Sequence, residues 1–219
     1  MPELSPVEQA LFDDLLLRRP DLEGCAPSLL PLHTAIVTSY DGGGKLLICG
    51  NGGSCADALH IAGELCKSFE RKRPLDDAIK QKLRGLPFGD ELAEHLEAGL
   101  PAIPLGANPA LKSAIENDSP VRDIAYAQEV CALGKTGDVL LAISTSGNAA
   151  NCLMALSAAK ALGLTTASLT GPHGGRMALG ADLAIRAPGD STKTVQEAHL
   201  ALYHTLCAMV EAHYFPEPR

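Results

Sequence analysis

The sequence predicts an α/β fold: a doubly wound, five-stranded, mostly parallel sheet flanked by helices in three layers. Three observations predict it. Short apolar runs bounded by turn residues recur along the 219 residues. Helical stretches separate these runs. Two of the runs end in polar exits rich in glycine or hydroxyl groups, where sheets of this kind bind ligands.

In chain order, Ser5-Pro6 pairs an N-capping side chain with proline at the first helical position. A helix should therefore run to about Arg19 and stop at Pro20. A second fits 28–40, ended by Asp41-Gly42-Gly43-Gly44. The period then changes. Residues 45–49, KLLIC, form a short apolar run that reads as a buried parallel strand. Further strands are expected at 102–105, 139–143, 165–169 and 183–185. Helices are expected at 56–69, 149–162 and 194–213, which makes right-handed crossovers between parallel strands. Residues 70–100 differ. Two helical stretches, 76–83 and 90–98, surround Gly85-Leu86-Pro87-Phe88-Gly89. We read them as a helical insertion on a single domain spanning 1–219, whose N-terminal helices occupy 1–44.

Hydrophobic residues make up 46% of the chain, enough for a buried core, but aromatics are only 4% and Trp is absent. Leu, Ala, Ile and Val must fill the interior. The net charge of −8 excludes broad electrostatic coating of nucleic acid or anionic membranes. Local phosphate binding needs no net charge, because a helix N-terminus and backbone N–H groups suffice. Seven cysteines without a CxxC pair argue against a disulfide framework and a thiolate zinc site. They fit reduced thiols in a cytoplasmic protein. The N-terminus lacks a basic segment followed by an apolar run, so no signal peptide is expected. No apolar stretch reaches the roughly 18 residues of a membrane span.

The two polar strand exits carry the first functional signal. Ser144-Thr145-Ser146-Gly147-Asn148 should lie between a strand and a helix N-terminus. Its hydroxyls and amides could hold a phosphate dianion, or simply cap the helix. Gly50-Asn51-Gly52-Gly53-Ser54 is a second such loop, with glycines that permit close backbone approach to a ligand. It lacks the GxGxxG spacing and the Walker lysine, so a nucleotide cofactor is not expected.

A second signal lies on the helices. His60 and Glu64 are four residues apart and share a helix face. Gln196 and His204 are eight apart on the last helix, again on one side. Imidazole and carboxylate suit a borderline divalent ion such as zinc, although a histidine on an apolar helix also serves as a packed core residue.

The segments CGNGGSCADALHIAGEL (49–65) and GDVLLAISTSGNAANCLMAL (137–156) together resemble the SIS domain, a sugar-phosphate-binding, flavodoxin-like fold. SLTGPHGGRMA (168–178) and VQEAHLALYHTL (195–206) bring the chain close to the phosphoheptose isomerases. The similarity spans about 40–70 and 101–213. It implies a phosphorylated sugar as substrate, a homotetramer, and a zinc site at His60, Glu64, Gln196 and His204. It also implies Glu64 and His204 as the acid/base pair. The substrate contacts it implies are Asn51, Gly52, Gly53, Ser54, Asn117, Asp118, Ser144, Thr145, Ser146 and Gln196. Glu197 and His199 are lower-ranked alternatives, and His173 receives no role.

The expected reaction converts sedoheptulose 7-phosphate to D-glycero-D-manno-heptose 7-phosphate through an enediolate. Moving a proton between C1 and C2 needs a base for a weakly acidic C–H and an acid for the oxygen, tasks suited to a carboxylate of raised pKa and an imidazole.

Three features depart from the family pattern. Ala149 stands where a further Ser is common, Lys193 stands where an Asp is common, and the segment between Pro74 and Pro101 is long. Alternative functions on this fold are a non-catalytic sugar-phosphate-binding regulator resembling replication initiator-associating proteins, an amino-sugar isomerase or an etherase. The ending His213-Tyr214-Phe215-Pro216 resembles the regulator branch, but that branch lacks the catalytic Glu and His.

Overall fold

The computed structural model describes residues 4–216; the chain ends, 1–3 and 217–219, lie outside the described residues, as do the outermost residues of the expected 1–219 domain and 1–44 helical region. Five strands form one sheet: β1 (Leu46–Gly50), β2 (Ala102–Pro104), β3 (Val139–Ser144), β4 (Thr165–Thr170) and β5 (Leu183–Arg186). Their order is β2-β1-β3-β4-β5, and every neighbouring pair is parallel. The expectation of a mostly parallel sheet is thus sharpened to an entirely parallel one.

Both faces of the sheet are buried, which explains why its strands read as continuous apolar runs. Side chains still alternate. Leu46 and Ile48 of β1, with Val139, Leu141 and Ile143 of β3, enter one core. Leu47, Cys49, Leu140 and Ala142 enter the other. Four helices cover the first face: α1 (Pro6–Arg18), α2 (Leu29–Asp41), α3 (Gly53–Cys66) and α10 (Thr192–Tyr214). The second is covered by α7 (Ala125–Leu133) and α8 (Ala150–Ala161), with Met177 of the short α9 (Gly175–Gly180).

The predicted start of α1 is seen in full. Ser5 is the N-cap, Pro6 follows it, and Glu8 completes a capping box. Three helices escaped the sequence reading. Of these, α6 (Pro109–Asp118) is polar overall and buries no side chain. The N-cap of α7, Ile124, makes no side-chain cap, and α9 opens on Gly174 and Gly175, both at positive φ.

From β1 the chain crosses to β2 on one side, then returns past β1 to β3 on the other. The exits of β1 and β3 are therefore adjacent, with Gly50 beside Ile143, at the switch point where such sheets bind ligands.

The insertion is a helical hairpin, α4 (Asp77–Leu83) and α5 (Gly89–His95). A β-carbon at Gly89 would collide with the Leu83 carbonyl, so the hairpin's close approach requires glycine there. At its base Pro74 bridges Glu97, and the Ala98 amide donates to the Arg73 carbonyl at 2.8 Å. It leaves the body beyond the C-terminal end of α3, opposite the end that carries the Gly50–Gly53 turn. That helix of 14 residues is about 20 Å long.

Candidate active site

The site is built by α3 and α10. Gly53 faces Gln196 and His60 faces Tyr203, the same offset of 143 residues, so the two helices run parallel in step. A β-carbon at Gly53 would collide with the Gln196 amide, so glycine lets the helices close at this end.

Two turns further on, three side chains converge. The ligand-capable atoms of His60, Glu64 and His204 all lie within 4.8 Å of one another. Glu64 Oε1 is 3.1 Å from His60 Nε2 and 3.2 Å from His204 Nε2. Neither approach has hydrogen-bond geometry, and buried Glu64 Oε2 and His204 Nε2 have no hydrogen-bond partner. Buried polar atoms are ordinarily satisfied. Two imidazoles and a carboxylate with ligand atoms this close, two of the buried polar atoms among them unpaired, fit a divalent cation such as zinc.

Electrostatics single out the same carboxylate. Burial pushes Glu64 up to about 7, with Glu70 and Glu211 adding to the rise and the Cys207 thiol and Lys67 opposing it. Burial also lowers the His204 pKa, helped by neighbouring His60. The pair thus holds a carboxyl poised near neutrality beside an imidazole biased toward its neutral form. Glu64 is 7% exposed at its side chain, whereas His60 is 49% and His204 36% exposed. The cluster therefore opens to the surface of this chain.

Its surroundings were not legible in the sequence. His60 Nδ1 lies 2.9 Å from the Tyr203 hydroxyl, which donates to Asp57 Oδ1 at 3.4 Å. The Phe69 ring packs near His204, with centroids 5.8 Å apart. Beneath the cluster, wholly buried Arg73 pairs with Glu211 at 2.7 Å and donates to the Glu64 and Leu65 carbonyls. Glu211 in turn accepts from the Phe69 and Glu70 amides. This network ties the end of α3 to α10. The one available signal was Glu211, a lone carboxylate in the apolar run 207–212, since such a charge is buried only with a partner.

The phosphate loops lie at the strand exits. The N-cap of α8 is Ala149 and that of α3 is Gly52; neither makes a side-chain cap. The capping alternative for the Ser144 loop therefore does not apply: its hydroxyls do not cap α8. Instead Ser146 Oγ accepts from the Asn148 amide at 3.2 Å and lies 3.4 Å from Ser144 Oγ. The amides at the start of α3 have no side-chain acceptor, whereas in α8 the Cys152 amide donates to Asn151 Oδ1 at 3.0 Å and the Ala150 and Asn151 amides have none; unpaired amides at a helix start favour an anion. The loop is held from behind. The Gly171 amide donates to Thr145 O and the Met177 amide to Gly147 O, at 3.0 and 2.9 Å. Gly147 sits at φ 65° against Gly174, where a β-carbon would collide. Asn51 bridges the loops through reciprocal 2.8 Å bonds with Asn151. Ser54 is buried in the first turn of α3.

Other expected residues stand apart from these groups. Asn117 and Asp118 are exposed on α6, where the Asn117 amide donates to Asp118 at 2.9 Å. Gln196 lies with its amide against Gly53, two turns before His60. Lower-ranked His199 is fully buried and bonds to the Thr170 carbonyl at 3.1 Å, a structural role.

An α/β sheet of order 2-1-3-4-5 with phosphate-suited exits defines this as an SIS-type protein, and the SIS domain family model matches residues 88–171. The similarity extends further. A phosphoheptose isomerase from Rhodospirillum rubrum is 38% identical over 190 residues, covering 87% of this chain and 88% of that one. One from Halorhodospira halophila is 34% identical over 215 residues, covering 97% and 96%. The solved structure of a phosphoheptose isomerase from Neisseria gonorrhoeae matches with a TM-score of 0.69 at 30% identity, covering 92% and 96%. The chain belongs to the phosphoheptose isomerase family.

Proposed function

We propose that the chain interconverts sedoheptulose 7-phosphate and D-glycero-D-manno-heptose 7-phosphate by moving a proton between C1 and C2. The convergence of His60, Glu64 and His204 carries this reading. In it, Ser144, Thr145, Ser146 and Ser54, with the N-terminal ends of α3 and α8, grip the phosphate. Asn51, Gly52 and Gly53 shape that end of the cleft, and Asn117, Asp118 and Gln196 contact the sugar. From Gly53 to His60 is about 10 Å of helix rise, a span suited to a sugar with its phosphate at one end and its reacting carbons at the other.

Glu64 takes the proton from carbon and returns it to the neighbouring carbon. His204 exchanges the proton on oxygen. Burial prepares both groups, because it keeps Glu64 basic enough to accept a proton near neutral pH. Phosphate binding supplies remote energy that orients the reacting carbons. His60, Glu64 and His204 would hold a zinc ion; Gln196, expected as a fourth ligand, keeps its amide against Gly53, two turns away from them. A bound divalent ion would stabilise negative charge on the enediolate oxygens.

The reading includes a cytoplasmic homotetramer. All seven cysteines are free, as a reducing compartment requires. No helix among the described residues is long and apolar enough to cross a membrane. Leu59 beside His60, and Leu200 one turn before His204, are exposed at 51% and 40%. A neighbouring copy would cover them and close the open side of the cluster.

The test is turnover in deuterated water with zinc supplied. Sedoheptulose 7-phosphate should yield aldose product carrying deuterium at the carbon that receives the proton. No conversion of this or any six- or seven-carbon sugar phosphate would remove the isomerase reading and leave a binding protein.

A further inference from the structure

Beyond the expected ligands, α3 and α10 bring together Asp57, Tyr203 and His60. Asp57 and His60 are three residues apart on one face of α3. Tyr203 comes from α10 and is only 1% exposed. Its hydroxyl lies 2.9 Å from His60 Nδ1 and 3.4 Å from Asp57 Oδ1. We propose that Asp57 and Tyr203 form a hydrogen-bonded relay that holds His60 in its Nδ1–H tautomer and aims the Nε2 lone pair at Glu64.

The argument is one of donor supply. A tyrosine hydroxyl has a single hydrogen, and an ionised carboxylate can only accept. If that hydrogen goes to Asp57, the phenolic oxygen is free to accept from His60 Nδ1–H. Every group in the relay then has a partner. If it goes to His60 Nδ1 instead, Asp57 Oδ1 loses its donor. Asp57 Oδ2 is already buried without one, so the whole carboxylate would stand unpaired, at the cost that attends such a group. His60 would then also carry its hydrogen on Nε2, facing Glu64 Oε1 at 3.1 Å without hydrogen-bond geometry. The first arrangement satisfies more atoms.

The consequence reaches the metal. A metal-binding imidazole needs one nitrogen bare, and a hydrogen bond from the other nitrogen fixes which one that is. Carboxylate-to-histidine pairs commonly do this directly. Here the Tyr203 hydroxyl is interposed, because Asp57 and His60 project from the same helix and the acceptor must be completed from α10. Tyr203 is thus a positioning residue. It rests on the proposed role of His60 as ligand for its benefit to metal binding, but the tautomer itself does not.

Tyr203→Phe is the informative variant, since it keeps the buried ring and removes only the hydroxyl. With 15N-labelled histidine, two-bond proton–nitrogen spectra of the metal-free protein report the His60 tautomer. The parent should show protonated Nδ1 and bare Nε2, and Tyr203→Phe should shift His60 toward the Nε2–H form. Competition against a chromophoric chelator should then show zinc affinity about tenfold or more weaker in Tyr203→Phe, the usual scale for losing an outer partner of a metal-bound histidine. Asp57→Asn should weaken it in the same direction.

An Nε2–H tautomer in the parent, or an unchanged tautomer in Tyr203→Phe, overturns the relay. A shifted tautomer with unchanged zinc affinity overturns its role in holding the metal. A parent that binds no zinc refutes the metal reading, while the spectra still decide the relay. A lowered melting temperature with the other readings unchanged marks Tyr203 as packing only and counts against the proposal.

Discussion

The molecule contains two carboxylates that each sit between two histidines, and they behave in opposite ways. Glu64 lies between His60 and His204. Glu8 lies between His33 and His213, with Oε1 at 3.1 and 3.0 Å from their nitrogens. Both carboxylates are buried. Burial alone would push both up. For Glu8 the Ser5 hydroxyl and amide, with His33 and His213, outweigh it and hold the group below its usual range. Its oxygens accept from Ser5 N at 2.6 Å and pair with His213 Nδ1. Glu64 keeps one oxygen without any partner and rises to about 7. Residue type and burial therefore do not make a site. The unfilled hydrogen-bonding capacity does, because a satisfied carboxylate has nothing left to offer a substrate or a metal.

The largest effect should separate the two clusters by activity. Glu64→Gln keeps shape but removes the proposed base, so kcat should fall by about 10²–10⁴-fold. Glu8→Gln should leave kcat unchanged. Steady-state kinetics on zinc-loaded protein checks both, and equal losses would erase the distinction drawn here. Next in size, the loops proposed to grip phosphate lie at the start of α3 and should serve only the first cluster. Replacing Ser144 and Ser146 together with Ala removes two hydroxyls expected on a dianion. Hydrogen bonds to charged groups contribute about 1.5–3 kcal/mol each, so KM should rise at least about tenfold. An unchanged KM would place the phosphate elsewhere.

The stability effect should run the other way. Glu8 joins the capping box of α1 to α2 and α10, so Glu8→Gln breaks charged hydrogen bonds in a buried place. A loss of about 1–3 kcal/mol is expected. For a chain of 219 residues each kcal/mol lowers Tm by about 2–4 °C. Calorimetry that found no change would make Glu8 as dispensable to the fold as Glu64 is expected to be.

Much of this contrast was visible in the sequence, and the missing part has a physical cause. All five strands were readable, because a parallel sheet buried on both faces leaves uninterrupted apolar runs such as LLICG and VLLAIS. His60 with Glu64 was readable because four residues is one helical turn. Tyr203 and Arg73 were not, since their partners lie 143 and 138 residues away and depend on how α10 docks along α3. The start of α3 at Gly53 was placed three residues late, because a helix opening on Gly52 and Gly53 gives no capping side chain to read. The sequence singled out Glu64 by its spacing from His60, but only the geometry shows that Glu8 also sits between two histidines and that it is satisfied.

The smallest effect is the most discriminating, because the two carboxylates should move stability in opposite directions with pH. A carboxyl whose folded pKa is depressed contributes stability above its unfolded value, and that contribution is lost as pH falls through the folded value. Glu8 is of this kind. Glu8→Gln should therefore lie below the parent in Tm at pH 7, and the gap should narrow below about pH 4.5. A carboxyl whose folded pKa is raised behaves the other way. Glu64 holds its proton in the folded state up to about 7, while the unfolded chain releases it near 4.5. Its favourable contribution is complete below 4.5 and fades as pH climbs to about 7. In metal-free protein, Glu64→Gln should match the parent at pH 4 and exceed it at pH 8, by on the order of 1–3 kcal/mol. Saturating zinc should reverse this second trend, because a metal ligand must be ionised and ion binding then stabilises the parent but not the variant. Thermal scans at pH 4, 6 and 8, with and without zinc, separate the cases. Parallel curves for the two variants without zinc would mean that the carboxylates share one environment, and that the difference on which the site assignment rests is absent in solution.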